Sequence, residues 1–293
     1  MRLSYLTFIV LLLTLTTSTS SFALAKMGHK IVCQLAFEHL SPTKQNQITT
    51  LLSTIPKKHQ ALINSYNYLN KNQAISFATA CTWADAVKRT GNFKAYNRWH
   101  YMNVPRTQTT IKTAHCSENC LPQAILQHQQ VLAKGKNKSH WQQAQALLFL
   151  GHWLGDIHQP LHISFNDDLG GNKTTLSKNK TKCNNLHRYW DECILSRGKH
   201  SKKKWLTLLR AKWQQHSQPR WQKEQVWQWA DESFQLVKAP SFNYCQLTKQ
   251  GRCQKINGDI TLPADYQRRY QVVMEQRLLQ AAQRLTQILN ASL

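Results

Sequence analysis

The run GHWLGDIHQPLH, residues 151–162, constrains this chain more than any other feature. His152 and Asp156 stand four residues apart within it, and His162 follows just beyond Pro160. The segment NNLHRYWDE repeats the spacing with His187 and Asp191. Residues four apart share one face of a helix, so each pair can converge on a single cation. Neutral imidazole with carboxylate is a ligand set for zinc or a similar divalent ion. One such pair is commonplace on a solvated helix. Two pairs, plus a third histidine where a proline ends the helix, require a fold that turns these segments inward together.

The remaining periodicity is mostly helical. Apolar spacing predicts helices over His29–Leu40, Ala74–Lys88, Leu121–Lys134, Ser139–Ile157, Leu186–Leu195, Lys202–Gln215 and Arg220–Val237. Ser41-Pro42 and Gln159-Pro160 read as stops. A last helix, Asp265–Leu289, lines up Tyr270, Val273, Met274, Leu278, Ala281, Leu285 and Leu289 on a core-facing stripe. Asn92–Cys120 and Phe165–Asn185 read as loop-rich, with Gly170-Gly171 marking a turn. Trp205, Trp213, Trp221, Trp227 and Trp229 fall on the two helices before it and are expected to pack. No internal repeat or long linker divides the chain, so one all-α domain over residues 24–293 is expected.

Residues 1–23 read as a secretory signal: Arg2, an apolar run from Leu3 to Leu15, then small residues. Cleavage after Ala23 or after Ala25 satisfies the small-x-small rule. Eight cysteines suit an oxidising compartment, and the expected location is secreted or periplasmic. Cys116 with Cys120, Cys183 with Cys193, and Cys245 with Cys253 are near neighbours, leaving Cys33 and Cys81; spacing alone does not fix the connectivity. No CxxC spacing favours cysteine-ligated zinc. The chain carries 38 Lys and Arg against 14 Asp and Glu, a formal charge of +24. That balance favours a polyanionic partner and salt-sensitive binding. With so few acids, it is telling that three of them are candidate metal ligands.

Three further candidates join the two pairs: Gly28-His29 at the opening of the first helix, Asp85 in CTWADAVK and His100 in NRWHYMN. Eight of the thirteen histidines (His39, His59, His115, His128, His140, His158, His200 and His216) read as surface or capping groups. His158, two residues from Asp156, should point away from that helix face.

The stretches MGHKIVCQLA, TWAD, WHYMNVP, FLGHWLGDIHQPLH, DLGGN and NLHRYWD resemble, in order, the secreted zinc-dependent single-strand nucleases of fungi, the plant bifunctional nucleases and their bacterial relatives. The resemblance implies a helical fold shared with zinc-dependent phospholipase C and a site holding three zinc ions. By it, Asp85, His100, His152 and Asp156 would hold one ion. Asp156 would bridge to a second, shared with His29 and the mature N-terminal amine and carbonyl. His162, His187 and Asp191 would hold the third. Relatives begin with Trp five residues before the first histidine; here that position is Leu24, which cleavage after Ala23 would make the first residue.

The same resemblance implies endonucleolytic hydrolysis of single-stranded DNA and RNA to 5′-phosphorylated products, with 3′-nucleotidase activity an open addition. Asp85 would orient the attacking water and Lys88 would contact the phosphate. Tyr101 stands where relatives place a stacking Phe, Asn103 where some have Asp, and Asn172 as the amide that reads the base edge. Asn172-Lys173-Thr174 is also a glycosylation sequon, and a glycan there would block the base site, which points to a host that does not add one. Two other readings remain: a zinc phospholipase C acting on lipid headgroups, and a zinc-stabilised protein that coats polyanions without catalysis. No stable protein partner is implied, and a monomer is expected.

Overall fold

The computed structural model describes residues 26–88, 90–116, 119–177, 183–196, 201–215 and 222–293. The expected signal segment, both cleavage points, Leu24, His200, His216 and Trp221 lie outside them. The chain folds as a mainly helical body around one long helix. In order come α1 (Lys26–Glu38), α2 (Pro42–Ser53), α3 (Lys57–Tyr66), α4 (Phe77–Ala80), α5 (Trp83–Val87), α6 (Leu121–Ala133) and α7 (His140–His158). There follow α8 (Leu186–Arg188), α9 (Ile194–Ser196), α10 (Lys202–Lys212), α11 (Gln225–Lys238) and α12 (Tyr266–Ser292). Among the described residues no helix is long and apolar enough to cross a membrane.

Helix α7 is the axle. Ser139 opens it with a capping box: its hydroxyl accepts from the Gln142 amide at 3.2 Å, and Gln142 accepts the Ser139 amide at 3.0 Å. From Ala146 to His158 every residue is buried, the mark of a helix enclosed on all sides. It packs against α1, α2, α5, α6, α11 and α12. As expected, it stops where Gln159 precedes Pro160.

Two devices bring distant segments to α7. The Cys33–Cys81 disulfide ties α1 to the turn between α4 and α5. It lies directly over Gly151, where a Cβ would sit 2.3 Å from the Cys81 sulfur and 2.8 Å from that of Cys33. Only glycine lets the bridge come this close. The second device is a short parallel pair: β1 (Met102–Val104) aligns with β2 (Ile163–Phe165), Asn103 opposite Ser164. These strands follow His100 and His162 at once, so their pairing fixes both ligands against one another. Elsewhere β3 (Cys245–Leu247) and β4 (Cys253–Lys255) form a hairpin closed by Cys245–Cys253. The nearby cysteine pairs Cys116–Cys120 and Cys183–Cys193 are also bonded.

Several sequence expectations need correction. Ser41-Pro42 ends α1 but also starts α2, with Ser41 as N-cap and Pro42 in the first turn. Helices α2 and α3 escape periodicity because α2 buries only Ile48, Leu51 and Leu52, and α3 only His59, Ile63 and Asn64. The helix expected over Ala74–Lys88 breaks at Cys81-Thr82, which frees the Cys81 carbonyl to accept from His152 at 2.7 Å. The helix expected over Leu186–Leu195 widens into a π-turn, Tyr189–Cys193, between α8 and α9. The loop-rich Asn92–Cys120 begins with a ten-residue 3₁₀ segment, Gly91–His100. His59, His128 and His158 are buried rather than on the surface. His158 does point away from Asp156, taking a hydrogen bond from Arg284 at 2.8 Å.

His128 lies among Trp99, Phe149 and Trp153, and burial pushes its pKa from 6.5 down to about 4. Between those values the unfolded chain binds a proton that the folded chain refuses, so stability falls as pH drops through that window. At pH 5 the loss should be about 2 kcal/mol from this residue. In His128→Leu, urea unfolding midpoints at pH 7 and pH 5 should differ less than in the parent; an equal difference would exclude His128 as the source.

Candidate metal centre

Asp156, fully buried on α7, is ringed by four imidazoles from three other parts of the chain and from its own helix. Its Oδ1 lies 3.4 Å from His29 Nε2 and 3.7 Å from His162 Nδ1. Its Oδ2 lies 3.0 Å from His100 Nδ1 and 3.3 Å from His152 Nε2. Asp85 on α5 faces the same rings, its Oδ1 being 3.7 Å from His152 Nε2 and 3.9 Å from His100 Nδ1. A short step away, Asp191 sets Oδ1 3.6 Å from His162 Nε2 and Oδ2 3.4 Å from His187 Nε2. Every predicted side-chain ligand within the described residues is therefore in one cluster, each no more than 6% exposed.

Donor atoms gather within 4.8 Å of one another in three groups: His29, Asp85 and His152; His100, His152 and Asp156; and His162, His187 and Asp191. The third matches the set expected from sequence. The first two interleave through His152, whereas the expectation joined His29 to Asp156 and Asp85 to His100.

The chemistry of the donors suits metal ions. His152 Nδ1 donates to the Cys81 carbonyl at 2.7 Å, His162 Nδ1 to the His100 carbonyl at 2.5 Å, and His187 Nδ1 to the Gly170 carbonyl at 2.7 Å. Backbone carbonyls thus hold one ring nitrogen of each and turn the other, Nε2, inward. This is how metal-bound histidines are oriented. Buried and without a hydrogen bond are both nitrogens of His29, Asp156 Oδ1, His162 Nε2 and Asp191 Oδ2. Leaving so many polar atoms unsatisfied costs ~1–3 kcal/mol each, and divalent ions at these positions would offset it.

The same demand is visible in the proton affinities. Burial opposes ionisation of Asp156 and Asp85, yet neighbouring histidines, with Lys88 at Asp85, hold both carboxyls well below the usual range. Burial lowers His162, but Asp156 and Asp191 outweigh it and raise the ring to about 9. Burial and the adjacent Lys88 and His152 charges instead bring His100 down to about 3. The buried carboxylates thus raise His152 and His162, whereas burial leaves His29, His100 and His187 lowered.

A cleft of about 360 Å³ opens onto His100, His162 and His187. Its walls include Lys88, Tyr101, Asn103 and Asn172, all four residues singled out for substrate. Lys88 Nζ reaches Asp85 Oδ1 at 2.7 Å, and Tyr101 is 40% exposed. Asn103 Oδ1 is buried without a partner. Asn172 donates to the Leu169 carbonyl at 2.8 Å, bracing a turn in which Leu169, Gly170 and Gly171 all take positive φ. A Cβ on Gly170 would meet the Leu161 carbonyl at 2.6 Å, so both the backbone sign and the close approach require glycine there. A larger groove of about 960 Å³, lined by Asn46, Lys134, His140 and Leu293, lies elsewhere and contains none of the ligating side chains.

Supporting residues escaped the sequence reading. Gln159 donates to Asp191 Oδ1 at 2.7 Å while accepting the Leu161 amide at 2.6 Å. Tyr66 donates to Asp85 Oδ2 at 3.3 Å. Asp168 gathers the Gly171 amide, Thr174, Tyr244 and Arg106, so it fixes the glycine turn. Gln159 and Asp168 could have been suspected because they lie inside the GHWLGDIHQPLH and DLGGN motifs; nothing marks Tyr66 in sequence.

A family model described as S1/P1 Nuclease matches residues 25–293. The chain belongs to the S1/P1 nuclease family. It is 30% identical to Endonuclease 2 of Arabidopsis thaliana over 180 residues, covering 58% of this chain and 55% of that protein. It is 27% identical to Nuclease S1 of Aspergillus oryzae over 183 residues, 61% and 56% of the two chains. With Nuclease P1 of Penicillium citrinum the identity is 28% over 170 residues, 56% of each. The chain spans about half the length of the relatives it matches.

Chelation should lower the thermal unfolding midpoint and added zinc restore it. Because Asp156 faces two of the donor groups, Asp156→Ala should retain less zinc than Asp191→Ala. Equal zinc content in the two purified variants, measured by atomic emission, would contradict the shared role of Asp156.

Proposed function

We propose that this S1/P1 family member is an exported zinc-dependent endonuclease that hydrolyses phosphodiester bonds of single-stranded DNA and RNA to 5′-phosphorylated products. The carrying observation is the placement of Lys88, Tyr101, Asn103 and Asn172 in one cleft that also reaches His100, His162 and His187 of the cluster. Three zinc ions would occupy the cluster, one at His162, His187 and Asp191 and two shared among His29, Asp85, His100, His152 and Asp156. The mature N-terminus at Leu24, exposed by cleavage after Ala23, would complete the ligands at His29. Bound zinc supplies Lewis acidity for the phosphoryl oxygens and a nucleophilic water near neutral pH.

The chain's own residues do the rest. Lys88, already beside Asp85, would hold a non-bridging phosphate oxygen and balance charge that builds as the 3′ oxygen leaves. Asp85, kept ionised, would accept a hydrogen bond from the attacking water and aim it in line. Tyr101 offers a face on which any unpaired base can stack, worth about 1–3 kcal/mol. That tolerance favours single strands, whose bases are free to leave the helix. Asn103 presents a buried carbonyl oxygen in want of a donor, and Asn172 lines the same cleft as a second amide. Both groups suit the edge of a base. The active form would be a monomer in the periplasm or the medium, and 3′-nucleotidase activity would follow from the same site acting on a terminal phosphate.

Lys88→Ala should lower kcat/KM on denatured DNA about 10- to 100-fold, the loss of one hydrogen bond to a charged group. Its zinc content should match the parent. If zinc and activity disappear together, Lys88 serves the metal rather than the phosphate. N-terminal sequencing of the secreted protein should begin at Leu24; a start at Lys26 would remove the terminal amine from the ligand set.

A further inference from the structure

Asp85 is contacted from two sides. Lys88 approaches Oδ1 from the cleft, while Tyr66 approaches Oδ2 at 3.3 Å. Tyr66 belongs to a small surface assembly that the cleft does not include. The Lys26 ammonium stands 4.4 Å from the centre of the Tyr66 ring and 3.9 Å from that of Tyr68. Tyr68 is 88% exposed, the most exposed large apolar side chain among the described residues. Its backbone takes a φ of 57°, a left-handed conformation that a bulky residue adopts at a cost. An exposed aromatic ring on a left-handed turn, with a lysine over its neighbour's ring and its own, is two residues from the tyrosine that touches Asp85.

The charge around it is of one sign. Lys30 stands one turn along α1 from Lys26, and Lys202 opens α10, which packs against α1. The nearby Glu38 is already taken up by a two-pronged pair with Arg210, at 2.8 and 2.6 Å. A row of mutually repelling lysines next to a stacking ring is the pattern that single-stranded nucleic acid satisfies, the cations following the phosphates and the ring taking a base.

We propose that Lys26, Tyr66 and Tyr68, continued by Lys30 and Lys202, form a second strand-binding subsite that receives the nucleotides on the 3′ side of the scissile phosphate. The inference rests on the nuclease reading above, in which the cleft at Tyr101 takes the base on the 5′ side. A single strand laid across the cluster would then leave it past Asp85 and over Tyr68. The subsite would make the enzyme favour internal cuts in long strands over short fragments.

The test uses zinc-loaded enzyme and thymidine oligonucleotides with one 5′ nucleotide and one to six nucleotides on the 3′ side of the cut bond. The quantity read is the ratio of kcat/KM for the longest substrate to that for the dinucleotide TpT. For the parent this ratio should exceed one. Tyr68→Ala should cut it by about 5- to 100-fold, the range expected for one stacked base. Tyr68→Phe should restore it, because a ring without its hydroxyl still stacks. Lys26→Gln should weaken its dependence on salt. A parent ratio of one, or a ratio in Tyr68→Ala equal to the parent's, would overturn the subsite while leaving the nuclease reading intact. Failure of the zinc-loaded parent to cut any oligonucleotide would instead overturn the nuclease reading, and the subsite with it.

Discussion

The architecture turns on placing a buried carboxylate, Asp156, within 3.0 to 3.7 Å of four imidazoles from α1, the segment before β1, α7 and the turn before β2. No arrangement of this kind is stable on its own account. Burial works against the charged form of Asp156 and against any proton on the rings, and the polar atoms left over cannot all find partners inside the protein. The surrounding fold must therefore over-determine the positions. Metal ions bound there would return free energy to the cluster and couple ion affinity to folding.

That over-determination comes from covalent and backbone constraints more than from hydrophobic packing. Cys33–Cys81 presses onto Gly151, one residue before His152, and the break after α4 presents the Cys81 carbonyl to the same ring. The β1–β2 pairing begins two residues after His100 and one after His162, and the His100 carbonyl itself receives the His162 Nδ1 proton. Gly170, forced into positive φ and packed on the Leu161 carbonyl, offers its own carbonyl to His187. In each case the element that looks irregular is the one that aims a ligand. A continuous helix over Ala74–Lys88 or an ordinary loop in place of β1 would leave an imidazole free to rotate.

This explains which parts were legible in the sequence. The clustering side chains were, because His152, Asp156, His187 and Asp191 carry a spacing with a direct geometric meaning, and the surrounding stretches resemble a known family. The long helices α7 and α12 were, because a buried or core-facing stripe leaves a strong apolar period. The orienting groups were not. A backbone carbonyl has no letter in the sequence, and Tyr66 acts across 19 residues. Helices α2 and α3 were missed because a thin apolar face and a flanking proline look like loop, although Ser41 and Pro42 are good helix-starting residues. The buried histidines were misjudged for a related reason: His59 and His128 take hydrogen bonds from Trp83 and Trp153, partners that lie 24 and 25 residues away.

The distribution of the scarce acids completes the argument. Of fourteen, Asp85, Asp156 and Asp191 are in the cluster. Asp167 and Asp168 are bound to Arg106, Glu232 to Arg277 and Arg284, Glu38 to Arg210, Glu192 to Arg188, Glu275 to Lys212 and Asp265 to Arg269. Ten of the fourteen carboxylates are thus engaged in holding the fold or the site, while the 38 Lys and Arg outnumber the acids by 24. A surface left with that excess repels itself at low ionic strength and gains by covering itself with a polyanion. The buried negative charge that would gather metal ions and the unbalanced positive charge that would gather substrate follow from one allocation of a small number of carboxylates.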